Sequence, residues 1–260
     1  LESVSLSVVI PVYNEAENVR PLLERLKSAL RNWPGRAEIL FVDDGSADST
    51  FEELKLAQQS EPRVRIARFR RNLGQTAAMA AGFRLARGRA VVTLDGDLQN
   101  DPAEIPRLVD LLKDWDAVCG VRTRRQDNWW KRASSRIANN FRNWVTGDDI
   151  VDTGCTLKAF RRECLERLEL HQGMHRFLPT LLRMRGYRVT QVPVGHHPRL
   201  RGKTKYGTWG RLKKGLADVW VVRWMKKNRI DFEADLEMFD RTDAASTAGA
   251  GDRATEPAPR

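Results

Sequence analysis

Long apolar stretches are missing from this sequence. No run of roughly 18 apolar residues occurs, so a bilayer-spanning helix is not expected and any membrane contact has to be peripheral. The opening residues lack a basic segment followed by a long apolar one, so no secretory signal is expected either. Cysteine is scarce. Cys119, Cys155 and Cys164 are too few and too scattered for a disulfide framework or a thiolate zinc site, which suits a reducing, cytoplasmic setting. There is no P-loop, no Gly-x-Gly-x-x-Gly fingerprint and no nucleophile elbow, so the commonest phosphate cradles and the hydrolase serine do not compete for the assignment. No internal repeat is present.

What the chain has in excess is positive charge. Its 260 residues carry a formal +11 with a pI near 10.0, which points to an anionic partner: nucleic acid, anionic lipid or a phosphorylated metabolite. The excess is concentrated. Between Arg199 and Arg229 stand eleven Lys or Arg residues and one acid, Asp218, a net +10. With 41% hydrophobic residues, the chain is long enough for one sizeable α/β core.

Short apolar runs alternate with helical patterns through the first half. Strands are predicted at Leu6–Val12, Ile39–Val42, Val64–Phe69, Ala90–Leu94 and Ala117–Val121, and helices near Asn18–Leu30, Thr50–Gln59, Thr76–Ala86 and Pro102–Lys113. The runs are unbroken rather than alternating, as in strands covered on both faces. The expected fold class is therefore α/β, a doubly wound and mainly parallel sheet. In such sheets ligands bind beyond the carboxyl ends of the strands. The second half is less regular: a basic aromatic helix over Asn128–Trp144, a turn and strand over Asp152–Phe160, a strand at Tyr187–Val194, a basic loop at His196–Gly207 and a Trp-rich basic segment at Trp209–Lys227. Ala244–Arg260, rich in Ala, Gly, Thr and Pro, is expected to be disordered.

Three acidic-polar clusters follow predicted strands directly: Pro11-Val12-Tyr13-Asn14-Glu15, Asp43-Asp44-Gly45-Ser46 and Asp95-Gly96-Asp97-Leu98-Gln99. Two carboxylates separated by one glycine can share a hard cation such as Mg²⁺ or Mn²⁺, whose other ligands come from phosphates and water. The alternative is a plain Asp/Gly turn, with Asp101 capping a helix that begins at Pro102. Three clusters at strand ends favour the metal reading.

These clusters resemble the signature of family 2 glycosyltransferases with the GT-A fold. Asp152-Thr153-Gly154-Cys155, Lys158-Ala159-Phe160-Arg161-Arg162, Gly173-Met174-His175-Arg176-Phe177-Leu178-Pro179 and Arg199-Leu200-Arg201-Gly202-Lys203-Thr204-Lys205-Tyr206 are similar to the polyprenyl-phosphate, dolichol-phosphate mannosyltransferase-like branch. The resemblance covers about residues 5–228. It implies a GT-A domain over 1–208, while an acidic stretch and tail over 230–260 lie outside it. Over 209–229, Trp209, Leu212, Leu216, Val219 and Trp220 recur at helical spacing with Arg211, Lys214 and Asp218 opposite. This stretch therefore reads as a basic amphipathic helix that faces a membrane, the alternative being a helix packed on the protein's own sheet. The resemblance implies that Pro11, Tyr13 and Glu15 line the nucleobase and ribose pocket, that Asp43 holds the base, and that Asp95 meets the ribose or metal-bound donor. By the same resemblance Asp97 and Gln99 ligate the metal together with Asp95, Arg122, Ser135 and Arg136 meet the acceptor phosphate, and Arg199 and Lys205 lie near the donor pyrophosphate.

The reaction so implied is inverting transfer of a sugar, mannose in the named branch, from a GDP- or UDP-linked donor to a polyprenyl phosphate at the cytoplasmic face of a membrane. The cation, Arg199 and Lys205 would neutralise the departing diphosphate. A phosphate monoester, with a second pKa near 6, is already nucleophilic at neutral pH and needs no base. A hydroxyl acceptor, the main alternative, would need one, and Asp152 is its candidate. Asp152 reads equally well as a turn residue bonding the backbone at Thr153 and Gly154. His175 and His197 are likewise either packing residues or site residues. A nucleic-acid module leaves the acidic clusters unexplained, so no nucleic acid is expected. A nucleotidyltransferase would release pyrophosphate instead. With no spanning helix of its own, the chain is expected to pair with an integral-membrane protein.

Overall fold

The computed structural model describes residues 3–123, 143–145, 147–166, 168–198 and 219–228. All of these but Lys227 and Asn228 belong to one unit, Leu1–Lys226. The strands in chain order are β1 (Leu6–Val12), β2 (Ala37–Asp43), β3 (Val64–Arg68), β4 (Ala90–Thr93), β5 (Ala117–Arg122), β6 (Lys158–Arg161) and β7 (Val189–Val194). The helices are α1 (Ala16–Ala29), α2 (Thr50–Ser60), α3 (Gln75–Leu85), α4 (Ile105–Asp110), α5 (Glu163–Glu166) and α6 (Leu178–Met184), with α7 over 219–227.

The seven strands form one sheet in the order β3-β2-β1-β4-β6-β5-β7. β2, β1 and β4 run parallel, as do β5 and β7, while β6 is antiparallel to both of its neighbours. The sheet is thus mainly parallel, as its unbroken apolar strands predict. Side chains alternate between two cores. Leu6, Val8, Ile10 and Val12 meet Leu22 and Leu26 of α1, Leu54 of α2 and Leu108 of α4. On the other face Val9 meets Met79 and Phe83 of α3 and Leu178 and Leu182 of α6. Truncating one of these fully buried leucines to Ala would cost about 3 kcal/mol.

The predicted elements of the first half fall where expected, with ends moved by a residue or two. Pro102–Lys113 is not one helix: α4 is flanked by 3₁₀ turns at Pro102–Glu104 and Leu111–Lys113. α6 is absent from the sequence reading because its seven residues are too short to establish a periodicity. Most of the helix expected over Asn128–Trp144, the basic loop from Arg199 onward, Trp209–Asp218 and the tail lie outside the described residues; residues 143–145 and 219–227 are helical. No helix among the described residues is long and apolar enough to cross a membrane.

Candidate active site

Because β2, β1 and β4 are neighbours, the segments leaving their carboxyl ends meet. After β1 the backbone turns at Asn14, with φ at 50°, a left-handed conformation that asparagine tolerates. Its amide donates to Ser46 Oγ at 2.9 Å, and its side-chain oxygen accepts from Ala47 N at 2.8 Å. Glu15 N donates to Thr50 Oγ1 at 2.8 Å. The loops after β1 and β2 therefore brace each other. Gly45 is required where it stands: its φ is +69°, and a Cβ there would lie 2.4 Å from the Arg71 carbonyl carbon.

Between these loops lies a cleft. Five of the expected residues line it, Pro11, Tyr13, Glu15, Asp95 and Asp97, together with Val12 and Gly96. Asp95 Oδ1 accepts from Gln75 Nε2 at 2.8 Å, and Asp97 Oδ1 accepts from Gln99 N at 3.2 Å. A Cβ on Gly96 would sit 2.7 Å from Val12 Cγ1, so the residue between the two acids has to be small. Leu98 then takes a φ of 64°, which is strained for a leucine, and it is held there by burial.

The structure also adds residues. Asp44, Asn72 and Gln75 line the cleft. Asp44 accepts from Leu73 N at 2.8 Å, Gly74 N at 2.9 Å and Asn72 Nδ2 at 2.9 Å, and so shapes the loop that delivers Gln75 at the start of α3. Burial raises the Asp44 carboxyl above its ordinary value, and neighbouring Asp43 adds to this, while the Leu73, Gly74 and Asn72 hydrogen bonds oppose it. Asp43 lies beneath the cleft. It is fully buried, caps Ser46 N at 2.9 Å and has Arg68 Nε 3.1 Å from Oδ2.

The other expected residues are placed elsewhere. Gln99 does not line the cleft. Its carbonyl accepts from His197 N at 2.8 Å and its amide approaches His197 O at 3.5 Å, which fastens the turn to the segment after β7. Arg122 and Asp152 are brought together as a two-pronged pair at 2.7 and 2.8 Å, and Asp152 Oδ1 also accepts from Gly154 N at 3.0 Å. The turn reading of Asp152 therefore describes its bonding. His175 Nδ1 lies 2.6 Å from Thr76 Oγ1, and His197 Nε2 lies 3.6 Å from Asp101 Oδ2. Asp101 caps the 3₁₀ turn through Ala103 N at 3.0 Å. Ser135, Arg136, Arg199 and Lys205 lie outside the described residues.

Four acids line the cleft, Glu15, Asp44, Asp95 and Asp97, and no Lys or Arg among the described residues does. Yet no group of three or more His, Cys, Asp and Glu among the described residues is gathered tightly enough to hold a metal by itself. The carboxylates that line the cleft are the oxygen donors that a hard cation prefers.

The sheet order, with an acidic cleft at the carboxyl edge of β2, β1 and β4, defines a GT-A class of fold. Glucosyl-3-phosphoglycerate synthase from Mycobacterium tuberculosis, solved with Mn²⁺, UDP and phosphoglyceric acid, shares that fold at a TM-score of 0.65 and 18% identity, over 87% of this chain and 80% of that one. Residues 7–169 match the family model described as Glycosyl transferase family 2, and the chain belongs to that family. Among its relatives, dodecaprenyl-phosphate galacturonate synthase of Rhizobium johnstonii is 39% identical over 80% of this chain. Undecaprenyl-phosphate 4-deoxy-4-formamido-L-arabinose transferase of Edwardsiella ictaluri is 40% identical over 78% of it. The chain spans 63% of the length of each of these relatives.

Proposed function

We propose that this chain transfers a sugar from a nucleoside-diphosphate donor to a polyprenyl phosphate, at the cytoplasmic face of a membrane. The observation that carries the reading is the cleft in which Tyr13, Glu15, Asp95 and Asp97 converge at the carboxyl edge of the sheet. Support for the acceptor comes from the relatives, whose names specify dodecaprenyl and undecaprenyl phosphate. Pro11, Tyr13 and Glu15 would receive the nucleoside, with Asp43 fixing the floor beneath it. Asp95 and Asp97 would hold Mg²⁺ or Mn²⁺, which when bound supplies positive charge to the leaving diphosphate. Arg199 and Lys205 would add to that charge from the basic loop.

The acceptor phosphate is nucleophilic without a base. This agrees with Asp152, whose two oxygens are committed to Arg122 and Gly154. Arg122 would meet the acceptor only by exchanging that partner, so Ser135 and Arg136 carry more of the acceptor assignment. The relatives' names favour galacturonate or a formamido-arabinose as the sugar over mannose. An integral-membrane protein would complete the system by using the lipid-linked product.

The test is release of nucleoside diphosphate from a panel of UDP- and GDP-sugars, mannose donors included, with short polyprenyl phosphates and Mn²⁺ or Mg²⁺. Release that needs both the lipid phosphate and the cation, and is lost in Asp97→Ala, is the expected result. Release with a glycan hydroxyl but not with lipid phosphate would sink the proposed acceptor.

A further inference from the structure

Away from the cleft, a third small core is built from Val145, Met174, Phe177, Leu181, Val219 and Val222. Here α7 lies along the segment that ends at Gly147: Arg223 Nη1 donates to Val145 O at 2.9 Å, and Lys226 Nζ to Gly147 O at 3.4 Å. With Val219 and Val222 turned inward, the outward residues of the same two pieces are large and apolar. Trp144 is 75% exposed, Trp220 55% and Trp224 66%, and Val221 is exposed beside them. Scattered apolar residues are ordinary on a surface, but three tryptophans brought to adjoining elements are not.

The charge on α7 is of one sign. From Val219 to Asn228 the chain carries Arg223, Lys226 and Lys227 and no acid. The acids of the adjoining segment are taken up elsewhere: Asp148 by Arg183 at 2.7 Å and Thr180 Oγ1 at 2.5 Å, and Asp149 by Arg183. The Arg223 guanidinium stands 6.0 Å from the Trp220 ring centroid, so cation and aromatic ring are presented together.

We propose that this tryptophan face, Trp144, Trp220 and Trp224 with Arg223 and Lys226, is a docking surface for an anionic bilayer. Indole rings settle at the headgroup level with the ring in apolar surroundings and the N–H in water, and lysine and arginine meet the lipid phosphates. A second copy of the chain is a poorer occupant, because a two-fold contact would bring two such cationic faces together. The proposal deepens the proposed function by naming the surface that reaches the lipid acceptor, and it rests on that reading only for its purpose.

Flotation with phosphatidylcholine vesicles, with and without phosphatidylglycerol, tests it. The chain should float with the anionic vesicles alone, less so at high salt. The combined Trp144→Ala, Trp220→Ala and Trp224→Ala variant should bind roughly tenfold or more weakly with an unchanged melting temperature, since all three rings are exposed. Its turnover of a water-soluble short-chain prenyl phosphate should stay at the wild-type level, while turnover of a long-chain acceptor in vesicles falls. Equal flotation of variant and wild type overturns the proposal, as does wild type that ignores anionic vesicles. So does a dimer abolished by the three substitutions in a protein that binds no vesicle. A wild type that floats but transfers to neither acceptor keeps the docking surface and rejects the proposed reaction.

Discussion

At the amino end of the sheet Glu38 is buried, and its partners match it. One oxygen accepts from Ser7 Oγ at 2.5 Å and Arg87 N at 2.8 Å, the other from Arg65 Nη1 at 2.7 Å, and Ser7 Oγ accepts in turn from Gly88 N at 2.7 Å. At the carboxyl end of the same strands the arrangement is the reverse. Glu15, Asp44, Asp95 and Asp97 line one cleft, neutral amides donate to Asp44, Asp95 and Asp97, Asp43 nearby is paired with an arginine, Arg68, and the backbone is strained at Leu98. Carboxylates gathered in one cleft repel one another, and a ligand that brings positive charge relieves that repulsion. One end of the sheet holds the fold together, and the other gathers carboxylates around an open cleft.

The largest effect that would break this contrast is expected at Asp97. Asp97→Asn should lower metal-dependent release of nucleoside diphosphate by about 10²–10³-fold. Its melting temperature should be unchanged or slightly higher, because one like charge is removed. A variant that loses stability along with activity would place Asp97 in the structural class of Glu38. The converse substitution, Glu38→Gln, leaves half-buried Arg65 without its carboxylate and should cost about 2 kcal/mol in urea unfolding. Its turnover at low temperature should match wild type.

Gln75 sharpens the contrast at an intermediate scale. Its amide fixes one oxygen of Asp95, so Gln75→Ala should leave the fold intact while raising the Mn²⁺ or Mg²⁺ concentration for half-maximal activity about tenfold. A change in kcat with no shift in the metal titration would show that Gln75 acts on the donor rather than through Asp95.

Much of this carboxyl edge is legible in the sequence, because its acids and glycines stand directly after unbroken apolar runs and the doubly wound rule names that edge as the site. Gln75 and Asn72 are not legible. They are neutral and follow an arginine-rich stretch, so a search for acidic clusters passes over them. The choice between Asp43 and Asp44 is set by register: Asp43 is the last residue of β2, paired with Val12 and Arg68, and its side chain goes under the sheet edge while the next one faces the cleft. The pairing of Gln99 with His197 and of Arg122 with Asp152 joins residues far apart in the chain, and no local pattern announces it. The strand β6 is read within Asp152–Phe160, but its short extent and antiparallel direction are not. It is four residues long and begins with Lys158, a buried lysine whose ammonium donates to the Cys155 carbonyl, where an apolar residue would be expected.

The smallest expected effect separates the two ends by the sign of a pH slope. Near the amino end Glu61 is gripped by Arg63 through Nε at 2.8 Å and Nη2 at 3.1 Å, and these hydrogen bonds hold its carboxyl below the ordinary value. A lowered carboxyl contributes stability that is present above its unfolded pKa and lost as pH falls through the folded one. Asp44 in the cleft is raised by burial, so the folded chain holds that proton more tightly than the unfolded chain does, and its term improves as pH falls toward the ordinary aspartate range. Against Glu61→Gln, wild type should therefore lose its advantage between about pH 5 and 3, by on the order of 1 kcal/mol. Against Asp44→Asn, wild type should gain over the same interval. Unfolding titrations of the three proteins read both slopes. Slopes of the same sign would mean that the cleft acids are matched as well as those at the amino end, and the case for a cation-seeking cleft would then rest on the turnover of Asp97→Asn alone.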